Sequence, residues 1–97
     1  MSEPRFSWDT DKARDNLRKH KVSFEEALIA FRDDEGIRIY DTEHSITEDR
    51  FLLIGLGGKG RLLVVSHCYR QQDSEIRLIS ARKATLRESK QYARRQL

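Results

Sequence analysis

Ile79-Ser80-Ala81-Arg82-Lys83-Ala84-Thr85 is the stretch on which the fold of this chain turns. Just upstream, Ile76, Leu78 and Ser80 alternate with Arg77 and Ile79, the period-two spacing of a strand. Just downstream, Thr85 and Glu88 have capping-box spacing, in which hydroxyl and carboxylate each satisfy an orphan backbone amide. Arg82 and Lys83 therefore fall on a strand-to-helix junction. Cations beside unpaired amides at a helix N-terminus suit an anion such as phosphate. The competing reading is two solvated cations on a surface turn.

The charge distribution favours the anion. Residues 1–48 hold eight Lys/Arg against twelve Asp/Glu, a balance of −4. Residues 49–97 hold eleven against four, a balance of +7. A basic half on a small chain points to a polyanion, most often nucleic acid. The acidic half restricts where that polyanion can lie.

Working outward, Asp9 follows Phe6 and Trp8 as an N-cap for a first helix to about His20, with Ala13 and Leu17 on a narrow apolar stripe. Ser23 and Glu26 are a second capping box, and Phe24, Ala27, Leu28 and Phe31 keep helical spacing. Ile37 and Ile39 mark a short strand, and residues 41–49 form a polar loop. Residues 50–56, 61–70 and 75–81 read as strands joined by the Gly57-Gly58-Lys59-Gly60 hairpin and by a turn at 71–74. The last helix offers Leu86, Ala93 and Leu97 but little else apolar, so a partner is expected to cover it. The expected fold is α+β, one domain over residues 1–97, with two N-terminal helices on an antiparallel sheet of about four strands and a C-terminal helix.

The lone Cys68 has no internal disulfide partner, which favours a reducing compartment and a cytoplasmic protein. No metal-ligand spacing occurs, and His20, His44 and His67 are too scattered to define a site by themselves. No spanning segment or signal peptide is read, and no membrane partner is expected.

Four patterns occur in order: Phe6-Ser7-Trp8-Asp9; Asn16-Leu17-Arg18-Lys19-His20 with Val22-Ser23-Phe24-Glu25-Glu26-Ala27; residues 50–57 with 61–67; and Ile79-Ser80-Ala81-Arg82-Lys83-Ala84. Together they resemble the BrnT family of type II toxins. The resemblance implies a RelE-like fold and a small ribonuclease. It also implies a BrnA-like antitoxin partner in a hetero-oligomer, with operator DNA reached only through that antitoxin and the ribosome as one place where RNA is met. Where the family usually has Gly after Lys-His, this chain has Lys21.

RNA supplies its own nucleophile, the 2′-hydroxyl, so cleavage needs no metal or other cofactor. It needs a base, cations for the crowded phosphate and a proton for the leaving oxygen. Arg82 and Arg77 are the first candidates for the phosphate, because a guanidinium meets two oxygens at once. His67 and His20 are candidates for proton transfer. For His67, which shares its strand face with Leu63 and Val65, the competing reading is a packed core histidine. For His20 it is a helix C-terminal cation. Lys19, Arg61, Arg70, Lys83 and Tyr69 are candidates for RNA binding, Tyr69 and Tyr40 through base stacking. A non-catalytic RNA- or ribosome-binding module, or an interaction subunit, would use the same basic surface.

Overall fold

The computed structural model describes residues 3–95; Leu97 lies outside the described residues. Strand β1 (Arg5–Ser7) leads into helices α1 (Thr10–His20) and α2 (Phe24–Ala30). Strands β2 (Ile37–Tyr40), β3 (Phe51–Leu56), β4 (Leu62–Arg70) and β5 (Glu75–Lys83) follow, then helix α3 (Leu86–Arg95). A single 3-10 turn at Thr42–His44 interrupts the polar loop between β2 and β3. The sheet has five strands in the order β1-β5-β4-β3-β2. β2 to β5 form the expected antiparallel meander. The sheet as a whole is mixed, not antiparallel: Arg5–Ser7, read from sequence as a lead-in, pairs parallel with Glu75–Arg77.

The helix starts follow from their caps. Asp9 accepts from the amides of Asp11 and Lys12 at 2.8 and 3.3 Å. Ser23 accepts from Glu26 N at 3.0 Å, but the Glu26 carboxylate turns away to Arg61. At α3 the box is complete: Glu88 N donates to Thr85 Oγ1, and Thr85 N donates to Glu88 Oε1 at 2.8 Å. Helix α1 stops at Lys21, which takes the left-handed conformation (φ 60°) usually left to glycine and donates its amide to Leu17 O.

Helices α1 and α2 cover one face of the sheet. Val22, Phe24, Ala27 and Ala30 pack there on Leu53, Leu63, Val65, Ile76, Leu78 and Ala81. The approach is close at Gly55, where a Cβ would meet the Ala30 carbonyl oxygen at 2.8 Å. Helix α3 meets β3 and takes up Arg82 on the other face.

The alternation expected for Ile76, Leu78 and Ser80 breaks at a β-bulge. His67 pairs with Leu78 but Ser66 pairs with Ser80, so Ile79 is an extra residue in β5. Ile76, Leu78 and Ala81 face the helices, while Arg77, Ser80 and Arg82 face the opposite side. Past the bulge, β5 no longer has β1 beside it, and buried Asn16 of α1 takes that place. Its Nδ2 donates to Ala81 O at 2.8 Å and to Val22 O at 2.9 Å, and its Oδ1 accepts from Ala81 N at 3.0 Å.

Replacing Asn16 by Leu orphans three buried backbone groups. The expected cost is about 2–4 kcal/mol by urea denaturation. A loss below about 0.5 kcal/mol would mean that Asn16 does not hold this edge.

Candidate functional site

Because of the bulge, three side chains of β5 that straight alternation would split share the face away from α1 and α2. Ser80 and Arg82 line a cavity of about 380 Å³ there, with Asp41, Glu43, His44, Arg50, Leu52, Ser66 and Ile79. Arg77 points to the same face one register step along, opposite Cys68.

Arg82 is held in place. Its two terminal nitrogens meet Glu88 at 2.8 and 2.9 Å, and one of them also reaches Lys83 O at 3.3 Å. The Arg82 guanidinium, against an opposing burial effect and with help from the Thr85 amide, holds the Glu88 carboxyl below the ordinary range, at about 2. The guanidinium itself is pushed up by the same pair. Arg50 enters the cavity from the start of β3. Its Nε is buried and has no hydrogen-bond partner among the described residues.

The loop side of the cavity is stitched together. Ser45 Oγ donates to Asp41 O at 2.6 Å and accepts from Arg50 N at 2.9 Å, while Asp41 N donates to Arg50 O at 2.9 Å. One turn on from Asp41, His44 Nδ1 lies 2.9 Å from Asp41 Oδ2. Asp41 and His44 were not candidates from the sequence; their i, i+3 spacing was the available signal. Arg50 and the two serines gave no signal beyond strand alternation.

The other expected site residues are dispersed. Lys19 and His20 line a shallow cleft of about 190 Å³ with Lys12, Asp15, Asn16, Ile79 and Ser80. That cleft borders the larger cavity at Ile79 and Ser80. Lys83 is exposed at the end of β5. Arg61 binds Glu26 (Nε to Oε2, 2.9 Å) and the Lys21 carbonyl at 3.0 Å, tying the hairpin to the helices. Arg70 pairs with Glu48 at 3.7 Å.

His67 and Tyr69 lie on the helix-covered face. His67 is fully buried, edge-on to Phe31 at 4.9 Å and beside Tyr69 and Phe51. Burial pushes its imidazole below the ordinary value; the Val65 carbonyl opposes this and Arg38 adds to it. These surroundings fit the packed-core reading. The Tyr69 hydroxyl accepts from Arg38 at 3.0 Å, and the same guanidinium sits over the Phe51 ring. A cleft of about 440 Å³ is here, lined by Arg38, Glu48, Asp49, Phe51, Tyr69 and Asp73. Three carboxylates against one cation make it a poor place for a phosphate.

Among the described residues no group of three His, Cys, Asp or Glu side chains is placed to hold a metal. Nor, among them, is any helix long and apolar enough to cross a membrane.

Residues 8–88 match the family profile described as ribonuclease toxin, BrnT, of type II toxin–antitoxin systems. The fold is similar to the 1.1 Å crystal structure of the Brucella abortus ribonuclease toxin BrnT, with a TM-score of 0.64 and 22% identity. That match covers 84% of this chain and 97% of the other. No curated protein is significantly similar in sequence.

The Arg82–Glu88 pair makes stability depend on acid. Glu88 is depressed from 4.5 to about 2, so its contribution is complete above pH 4.5 and is lost as pH falls toward 2. Glu88→Gln should lower stability at neutral pH by about 1–2 kcal/mol after allowing for partial exposure. Urea midpoints followed through that pH window should fall more steeply for the native protein than for the variant. Parallel curves would contradict the pair's role.

Proposed function

Given that this chain belongs to the BrnT family of ribonuclease toxins of type II toxin–antitoxin systems, we propose that it is an endoribonuclease acting on the sheet face that carries Arg82. The observation that carries this reading is that Arg50 and Arg82 line one cavity with Ser66 and Ser80, and Arg77 extends the same face. A phosphate entering there meets two guanidinium groups and neutral hydroxyls, with the Asp41 and Glu43 carboxylates on the loop side. Guanidinium forks stabilise the charge that builds on a pentacoordinate phosphate. Glu88 holds the Arg82 guanidinium in place, so little ordering remains to be done when RNA arrives.

The step needs no metal. The 2′-hydroxyl attacks the adjacent phosphorus, the bond to the 5′-oxygen breaks, and a 2′,3′-cyclic phosphate and a 5′-hydroxyl remain. Helices on one face of a meander, with a basic opposite face, suit the RelE-like description. Lys19 and His20, which line the adjoining cleft, would take the RNA backbone where it leaves the cavity.

The partner we propose is an acidic, BrnA-like antitoxin seated on α3. Arg87, Lys90 and Arg94 are exposed on that helix, and Leu86 is 72% exposed. Charge pairs formed there would set specificity and association rate more than affinity. Hydrogen-exchange protection by the antitoxin should include α3. Protection confined to the first forty or so residues would remove this reading.

Arg82→Ala should lower cleavage by about a few hundredfold, the usual loss for a transition-state charge contact of 3–4 kcal/mol. Its circular dichroism should remain that of a folded protein. Arg77→Ala should act more weakly, chiefly on binding, and flatten its salt dependence. Cleavage should persist in EDTA. If protein freed of its antitoxin leaves RNA intact with and without ribosomes, the chain is a non-catalytic RNA-binding module instead.

A further inference from the structure

The cavity holds cations for a phosphate, but the cleavage step also needs a base. Of the histidines expected at a site, His67 is sealed in the core. His20 has no hydrogen bond to a carboxylate among the described residues, and it lies in the neighbouring cleft. His44 differs from both. It lines the cavity itself, and its Nδ1 is 2.9 Å from Asp41 Oδ2.

We propose that His44, oriented by Asp41, is the proton-transfer group of this site and takes the proton from the attacking ribose 2′-hydroxyl. The proposal rests on the ribonuclease reading above. An ionised carboxylate can only accept hydrogen bonds, so the contact fixes the proton on Nδ1 and leaves the lone pair on Nε2. Exposure is divided in the same sense. The Asp41 side chain is 12% exposed and the His44 side chain 61%, so the carboxylate is sheltered and the ring is presented. The sheltered end is also fixed, because Ser45 and the Asp41–Arg50 backbone pairing close the loop on both sides of it.

In the reaction His44 Nε2 accepts the 2′-hydroxyl proton as the O2′–P bond forms. The P–O5′ bond breaks, the departing O5′ takes a proton from water, and the imidazolium releases its own to solvent. Arg50 and Arg82 face the developing phosphorane charge. Glu43 and Asp41 are the acidic groups in the cavity, and Glu88 borders it through Arg82. Asp41 is a positioning residue: it holds the ring and its tautomer.

The plain alternative is that Asp41 and His44 form only a surface ion pair that ends a 3-10 turn. Single-turnover cleavage of a purified transcript, together with binding of the same RNA sequence carrying 2′-O-methyl riboses, separates the two. For His44→Ala the cleavage rate should fall at least about a hundredfold while binding stays within about threefold. The native log rate should climb with pH along an acid limb that His44→Ala lacks. Asp41→Asn should lower the rate by about tenfold or more while binding stays within about threefold, since an amide no longer fixes the ring's proton on Nδ1. His44→Ala cleaving within about threefold of the native rate, while Arg82→Ala is inactive, overturns the dyad and spares the ribonuclease reading. Equal losses of rate and binding in His44→Ala also overturn it. Native protein that never cleaves overturns both.

Discussion

Opposite Ser66 and His67 of β4, strand β5 runs through Leu78, Ile79 and Ser80, three residues where alternation needs two. Arg77 and Arg82 are five positions apart, so in a regular strand they would point to opposite sides. Arg82 would then face α1 and α2, in the layer that Ala81 now occupies without any exposed surface. An unpaired guanidinium in that layer would cost several kcal/mol. The bulge removes the conflict: it keeps Ile76, Leu78 and Ala81 in the core and brings both arginines to the other face. Asn16 holds the arrangement by giving the bulged strand the hydrogen bonds that a neighbouring strand would have supplied.

The two sides of the sheet then develop opposite chemistries. On the helix side, His67, Phe31, Phe51 and Tyr69 form an edge-on aromatic cluster with Arg38 stacked over its rim. Burial there favours a neutral imidazole, which suits packing and not proton transfer. On the other side two groups are each positioned by a carboxylate: Arg82 by Glu88, and His44 by Asp41. The carboxylates of Glu48, Asp49 and Asp73 gather at the separate cleft beside Tyr69. They repel a polyanion from that end.

The parts of the fold set by local chemistry were legible in the sequence. Asp9, Ser23 and Thr85 cap helices where their spacing indicates, and the glycine-rich hairpin joins β3 to β4. The parts set by distant contacts were not. Arg5–Ser7 is too short to announce a strand, and its partner Glu75–Arg77 lies across the whole chain. The bulge left no mark, because Ile79 fits either an alternating or an interrupted strand. Ser23 and Glu26 read as a reciprocal box, yet Arg61 competes for the carboxylate and wins it. Of the candidate site residues, Arg82 is in the cavity, and Lys19 and His20 adjoin it. Three histidines looked scattered because the closure of the 41–50 loop, which sets His44 on Asp41 beside Arg50, depends on backbone pairing that composition does not reveal.

On the proposed reading, RNA lies across the bulged strand on the face away from α1 and α2. An amide chemical-shift titration of the protein with a 2′-O-methyl oligonucleotide tests it most directly. The shifts should centre on His44, Arg50, Ser66, Ser80 and Arg82 and extend over Ile79 toward His20. Shifts centred instead on Arg38, Phe51, Tyr69 and Asp73, with the Arg82 face silent, would contradict the account.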